Sequence, residues 1–158
     1  MKDAPWQPLA VTYRGFVYPW QLDRHGRMHL HTHAARFDEA SWHLLALLGL
    51  GPRRLSEHKQ AFVALEQRVS YTRDVGAPAA LHIDSELLEI GASTLRYRHM
   101  LRDSETRATL STMERLIALI GLEERQPIAL PSVLTCRAQV LFPAVAVHSG
   151  TFEVELAA

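Results

Sequence analysis

The sequence lacks several features that mark specialised protein classes. Cys136 is its one cysteine, which excludes an intrachain disulfide and any zinc or iron–sulfur site built from several cysteines. The 17 basic and 17 acidic side chains cancel, so no overall charge attracts nucleic acid or an anionic membrane. The longest apolar runs, LLALLGLG and LIALIGL, fall short of the roughly 20 residues of a membrane-spanning helix. We therefore expect a cytoplasmic protein that binds neither nucleic acid nor membrane.

What is present is typical of an ordinary folded chain. Hydrophobic residues make up 47% and charged residues 22% of the 158 positions. This length suffices for one domain with a real core and is too short for two, so we predict a single domain over residues 1–158. We interpret Cys136 as a small, buried apolar residue.

The period of the hydrophobic pattern predicts the order of the elements. Aromatic and β-branched residues predict a strand at 13–20, after an irregular lead-in at 1–12 that includes Trp6. From Ala34 to Gly49, an apolar stripe at helical spacing predicts a long helix. Alternation of period two then predicts four antiparallel strands, at 61–73, 80–90, 94–102 and 107–119. Together these elements predict an α+β fold in which the helix lies against a curved sheet.

Finer details of the pattern lead to further expectations. In the strand at 61–73, alternation places Val63, Leu65, Val69 and Tyr71 on one face. The change of phase at ELLEI predicts a β-bulge in the strand at 80–90. Beyond residue 126 we expect a short helix, and TFEVEL at 151–156 is typical of a short strand. The unpaired edges of such a sheet predict that the chain forms at least a dimer.

Side chains that can bind a metal or take part in catalysis are concentrated in one stretch. LDRHGRMHLHTHAARFDEA, residues 22–40, holds four of the nine histidines beside three acidic residues. If the segment is extended, His29, His31 and His33 project from one side, a pattern that suits a metal ion and hints at a cupin-like enzyme. A helix after the histidines argues against a cupin, and at a helix start the three side chains would fan apart. We therefore predict no metal site.

The same stretch resembles the opening of hotdog-fold thioesterases of the 4-hydroxybenzoyl-CoA thioesterase type. In these proteins a strand leads to an Asp-x-x-Gly loop and then to the central helix, and here Asp23, Arg24, His25 and Gly26 match that loop. The resemblance covers about residues 13–135, which leaves 136–158 as a C-terminal extension. It implies a hotdog fold, with a long central helix wrapped by a curved antiparallel sheet of five or six strands. Arg27, His29 and His33 depart from one branch of the family, in which His, Asn and Tyr are usual at these positions.

The resemblance also implies a function, an acyl-CoA thioesterase that works as a homodimer or a dimer of dimers. It needs no cofactor, because coenzyme A is part of the substrate. Asp23 would attack the thioester or activate a water, and the amide NH groups at the helix start, among His29 to Thr32, would stabilise the oxyanion. His25 would tune the carboxylate. Glu39 is a second candidate acid on the helix, although a solvent-exposed position suits it better.

Three further assignments stay open at this point. The side chains or backbone of His29, Leu30, His31 and His33 are candidates for binding the substrate. Arg73, Arg96 and Arg98 are candidates for the phosphates of coenzyme A, yet alternation places Arg96 and Arg98 on an ordinary solvated sheet face. Two alternatives to the thioesterase remain, a non-catalytic hotdog protein that binds an acyl ligand or serves in assembly, and the metal-dependent cupin-like enzyme.

Overall fold

The computed structural model describes residues 9–148 and places one long helix against a six-stranded sheet. The elements, in chain order, are the strand β1 (Ala10–Val17), a 3-10 turn (Pro19–Gln21), the helices α1 (Leu30–Leu47) and α2 (Pro52–Glu57), the strands β2 (Gln60–Tyr71), β3 (Ala79–Ile90), β4 (Thr94–Asp103) and β5 (Thr109–Gly121), the helix α3 (Ser132–Leu141) and the short strand β6 (Ala146–Val147). The antiparallel order is β1-β3-β4-β5-β2, and β6 adds to β3 in parallel. No helix within this range is long and apolar enough to span a membrane.

The core lies between α1 and the inner face of the sheet. Phe37, Ala40, Leu44 and Leu48 are at most 1% exposed, which confirms the predicted apolar stripe. The sheet contributes the alternate residues of each central strand, and in β4 these are Leu95, Tyr97, His99 and Leu101. The predicted α+β arrangement, with four antiparallel strands after the helix, is therefore confirmed.

Two elements begin earlier than the sequence predicts. β1 starts at Ala10 rather than at residue 13, and α1 starts at Leu30 rather than at Ala34. The first turn of α1 holds His31, Thr32 and His33, whose polar side chains hide the apolar periodicity that marks a helix. The connector at 52–60 also contains a helix, α2, which begins at Pro52. Trp6 and the predicted strand TFEVEL lie outside the described residues.

Two side-chain predictions are wrong. A β-bulge between Ala64 and Glu66 shifts the phase of β2, so that Phe62 and Val69, rather than Val63 and Val69, pack on the core. Cys136 is exposed on α3, because this helix buries Leu134 and Ala138 instead. The bulge predicted in β3 is confirmed, between Leu87 and Glu89.

Two histidines are buried in the core as hydrogen-bonded polar groups. His99 is fully buried, with Nδ1 2.6 Å from Ser85 Oγ and Nε2 3.1 Å from Ser41 Oγ. His33, in the first turn of α1, has Nδ1 2.9 Å from Ser111 Oγ. Burial lowers the pKa of His33 to about 4 and that of His99 to about 3, so both are neutral near pH 7.

A tight turn after β1 leads the chain into α1. The NH of Gly26 donates to the carbonyl of Asp23, and the NH of Asp23 donates to the carbonyl of Arg27. Gly26 has φ +74°, in the left-handed region that glycine adopts without strain. The glycine of Asp-x-x-Gly is thus required by the backbone of the turn.

Substitution of this glycine tests the turn. A Cβ at Gly26 would meet no atom within 4 Å, so only backbone strain opposes a side chain. We expect Gly26→Ala to lower the free energy of unfolding by about 1 kcal/mol, and Gly26→Asn by less, because asparagine tolerates positive φ better than alanine. Urea unfolding measures both variants. Equal losses in the two would contradict the assigned backbone conformation.

The buried histidines predict a specific response to acid. Histidines in an unfolded chain titrate near pH 6.5. Below that pH they bind protons in the unfolded state, whereas His33 and His99 stay unprotonated in the folded state. Their contribution to stability is complete above pH 6.5 and decreases as the pH falls toward their folded pKa values. Near pH 5 the two histidines together should lower the free energy of unfolding by about 2.5 kcal/mol for each pH unit of acidification.

Urea unfolding across this pH range, with two variants, isolates the effect. In His99→Asn, the slope of the free energy of unfolding against pH should decrease by the contribution of one proton, about 1.4 kcal/mol per pH unit. His43→Asn, at an exposed position of α1, should keep the full slope. An unchanged slope in His99→Asn would show that His99 is not a buried neutral group.

Candidate active site

A cavity of about 550 Å³ opens at the N-terminal end of α1. Its lining comes from the Asp23 turn, the start of α1, and the end of β2 with the segment that follows it. The lining residues are Asp23, Arg27, Met28, His29, Leu30, His31, His33, Tyr71, Arg73, Asp74 and Val75. The cavity thus collects chemistry-bearing groups from two segments that are about forty residues apart in the chain.

Backbone hydrogen bonds hold these two segments together. The NH of Met28 donates to the carbonyl of Val75 at 2.8 Å, which joins the turn to the segment after β2. The NH of His29 donates to the carbonyl of Gln21, and Leu22 forms an isolated bridge with Met28. These bonds fix the start of α1 beside the carboxylate of Asp23.

The Asp23 carboxylate is partly exposed and fully ionised near neutral pH. Its Oδ1 accepts hydrogen bonds from the NH groups of His25, at 2.8 Å, and Arg27, at 3.1 Å. Its Oδ2 lies 3.5 Å from the guanidinium of Arg27. The hydrogen bond from Arg27 is the largest cause that lowers the pKa of this carboxyl below its usual value, and the one from His25 adds to it. Oδ2 accepts no hydrogen bond from the described residues, which leaves it available to a ligand.

The start of α1 offers backbone donors to the same cavity. His29 is the N-cap, and the NH groups of Thr32 and His33 donate to its carbonyl. Within residues 9–148, the NH groups of Leu30 and His31 have no acceptor. The positive end of the helix dipole is also here, so this end of the cavity suits a developing negative charge. The geometry narrows the predicted range of donors, His29 to Thr32, to Leu30 and His31.

The other predicted residues divide between the cavity and the surface. His33 and Arg73 line the cavity, as do the side chains of His29 and His31. His25 contributes its backbone NH to Asp23, whereas its imidazole accepts a hydrogen bond from Arg24 and lies outside the lining. Glu39 is 51% exposed, pairs with Arg36 and does not reach the cavity.

Arg96 and Arg98 lie on the sheet face opposite α1 and far from the cavity lining. Arg96 pairs with Glu66 and Glu114, and Arg98 pairs with Glu86 and Glu114. Alternation along β4 turns both side chains outward, and glutamates already pair with them. This arrangement fits the interpretation of an ordinary solvated sheet face, and the suggested contact with coenzyme A phosphates stays a prediction.

The three alternating histidines do not converge on one point. The rings of His29 and His31 stack at 4.8 Å on the exposed side, while His33 points toward the sheet. Across residues 9–148, no three His, Cys, Asp or Glu side chains are grouped to hold a metal ion. The segment after the histidines is helical, which a cupin-like fold does not allow.

The sequence predicts Arg73 as a binding residue but does not predict that Tyr71, at the end of β2, and Asp74 line the same cavity. Tyr71 packs edge-on against the ring of His33, with centroids 5.1 Å apart, and Asp74 lies 4.0 Å from Arg27. No local signal in the sequence marks these residues, because their role follows from the long-range bond between Met28 and Val75.

Comparison with solved structures identifies the fold. The chain superposes on a hypothetical protein of Staphylococcus aureus, solved in complex with CoA, with a TM-score of 0.80 at 15% identity over 99% of both chains. A 1,4-dihydroxy-2-naphthoyl-CoA thioesterase from Synechocystis gives 0.71 at 16% identity, over 84% of this chain and 95% of that one. These similarities confirm the predicted hotdog fold.

Sequence comparison gives the family itself. No curated protein matches the chain. The family model described as "Thioesterase-like superfamily" matches residues 17–138, which include the Asp23 turn, α1 and the strands β2 to β5. This match spans most of the sequence and contains the predicted Asp-x-x-Gly loop. The chain therefore belongs to the thioesterase-like superfamily.

Proposed function

We propose that the protein hydrolyses an acyl-CoA thioester to the free acid and coenzyme A, with Asp23 as the catalytic carboxylate. One observation carries the proposal. Asp23, whose Oδ2 accepts no hydrogen bond from the described residues, lines the same cavity as Leu30 and His31, whose NH groups have no acceptor in that range. We infer that a single carbonyl group contacts both. A carboxylate on one side and oxyanion donors on the other are what thioester hydrolysis requires.

The chemistry follows from these groups. Asp23 Oδ2 either attacks the carbonyl carbon, forming an anhydride that water then cleaves, or accepts a proton from the attacking water. In both routes the carbonyl oxygen becomes an oxyanion, which the NH groups of Leu30 and His31 stabilise. The C–S bond then breaks, and the thiolate leaves with little acid assistance because a thiol has a pKa near about 8.5. Under this proposal the protein needs no cofactor of its own.

Binding of coenzyme A is the second part of the proposal. Arg73 and Arg27 lie at the cavity, where their guanidinium groups can pair with phosphates. The structural neighbour from Staphylococcus aureus was solved with CoA, which supports a ligand of this class. We also propose a homodimer or a dimer of dimers, because β1 and β2 are the edges of the described sheet and can pair with another copy.

A non-catalytic acyl-binding protein is the second candidate, and one observation favours it. Asp23 Oδ1 already accepts two NH groups and Oδ2 faces Arg27, which is how an aspartate that only closes a turn behaves. Such a protein would bind the thioester in the same cavity and leave it intact.

An assay of thiol release separates the two candidates. The purified protein is incubated with short, long and aromatic acyl-CoAs, and free thiol is followed for the wild type and Asp23→Asn. The asparagine oxygen still accepts the NH groups of His25 and Arg27, so the turn persists while the charge is lost. We expect kcat/KM to fall at least about 100-fold.

Asp74→Asn is the matched control. It also removes a carboxylate from the cavity lining, but the side chain of Asp74 is 77% exposed. It should retain activity within a few-fold. Thiol release that survives Asp23→Asn would contradict the catalytic role, and no release by the wild type across the panel would favour the acyl-binding protein. Loss of activity with a chelator would instead point to a metal-dependent enzyme.

A further inference from the structure

His33 presents an unpaired ring nitrogen at the cavity that holds Asp23. Its imidazole lines the cavity although the residue is only 4% exposed. Nδ1 is bound to Ser111 Oγ at 2.9 Å, and Nε2 has no hydrogen-bond partner among residues 9–148. Nε2 is not fully enclosed, and His33 is part of the cavity lining, so a ligand or water in the cavity can reach this atom. A buried polar atom of this kind is costly unless a ligand or water pairs with it.

This nitrogen can donate or accept a hydrogen bond. Because the imidazole is neutral, only one of its two ring nitrogens carries a proton, and the other is an acceptor. If the hydroxyl of Ser111 donates to Nδ1, then Nε2 carries the proton and donates. If Nδ1 donates to Ser111 Oγ, then Nε2 accepts. Ser111 has no second side-chain partner in the described chain, so rotation of its hydroxyl permits either arrangement.

The position of His33 in α1 places it near the part of the acyl chain that follows the thioester carbonyl. His33 follows Leu30 by three residues, so its backbone is one helical turn from the oxyanion donors, about 4.5 Å along the axis. Met28, Leu30 and Val75 add apolar lining, and the ring of Tyr71 packs edge-on against the imidazole. A polar group that reaches His33 must therefore be carried on the acyl chain, close to the carbonyl.

On the basis of the proposed function, we propose that His33 is a specificity residue that binds a hydroxyl or keto oxygen near the thioester, so that the preferred substrates are 3-hydroxyacyl or 3-oxoacyl thioesters. A plain alkyl chain displaces water from Nε2 and leaves it unpaired. A hydroxyl on the third carbon replaces that water. We expect the difference to be about tenfold to a hundredfold in affinity.

Calorimetry with non-hydrolysable analogues tests this preference without relying on turnover. The two probes are the CoA thioethers 2-oxopentyl-CoA and 4-hydroxy-2-oxopentyl-CoA, which place a methylene between sulfur and the carbonyl and differ only in one hydroxyl. The wild type should bind the hydroxylated probe about tenfold or more tighter. His33→Leu should bind both equally, and His33→Gln, which retains a donor and an acceptor, should keep part of the preference.

His43→Leu is the matched control, since it removes an exposed histidine of the same helix, outside the cavity lining, and should keep the full preference. If His33→Leu does not fold, loss of part of the preference in His33→Gln still supports the role. Equal binding of the two probes by the wild type would overturn this inference and leave the proposed function standing. The same holds if folded His33→Leu still prefers the hydroxylated probe, or if His33→Gln keeps the full preference. Binding of neither probe would overturn the proposed function as well.

Discussion

The candidate site depends on the hydrogen bond between the NH of Met28 and the carbonyl of Val75. This bond joins the turn before α1 to the segment after β2, and the cavity lies between these two parts of the chain. The turn itself needs the positive φ of Gly26 and the carboxylate of Asp23, which accepts two NH groups within the turn. The residue proposed for catalysis therefore also stabilises the loop that positions it.

Burial of polar groups beneath α1 is the second constraint. His99 and His33 both enter the space between helix and sheet. Serine hydroxyls bind both ring nitrogens of His99, whereas Ser111 binds only Nδ1 of His33. The low dielectric of this space keeps both imidazoles neutral. Only His33 of these two also lines the cavity. It is one of the residues at which the sequence departs from the resemblance, and this departure is the basis of the proposed substrate preference.

The sequence predicts the regular parts of the fold and the position of the Asp23 turn. Phe37, Ala40, Leu44 and Leu48 follow a helical period that survives in the structure because they face the sheet continuously. The pattern fails where a local irregularity interrupts the period, as at the bulge in β2, or where polar side chains occupy a helix start, as in α1. Tyr71 and Asp74 could not be predicted, because a long-range backbone contact brings them to the cavity.

The central claim is that one thioester carbonyl contacts both Asp23 and the start of α1. A crystal structure of the complex with 2-oxopentyl-CoA tests it directly, because the carbonyl of this analogue stays intact. The account predicts that the carbonyl oxygen lies about 3 Å from the NH groups of Leu30 and His31, with Asp23 Oδ2 facing the carbonyl carbon. An analogue bound elsewhere, or a carbonyl out of reach of both Asp23 and these NH groups, would contradict the account.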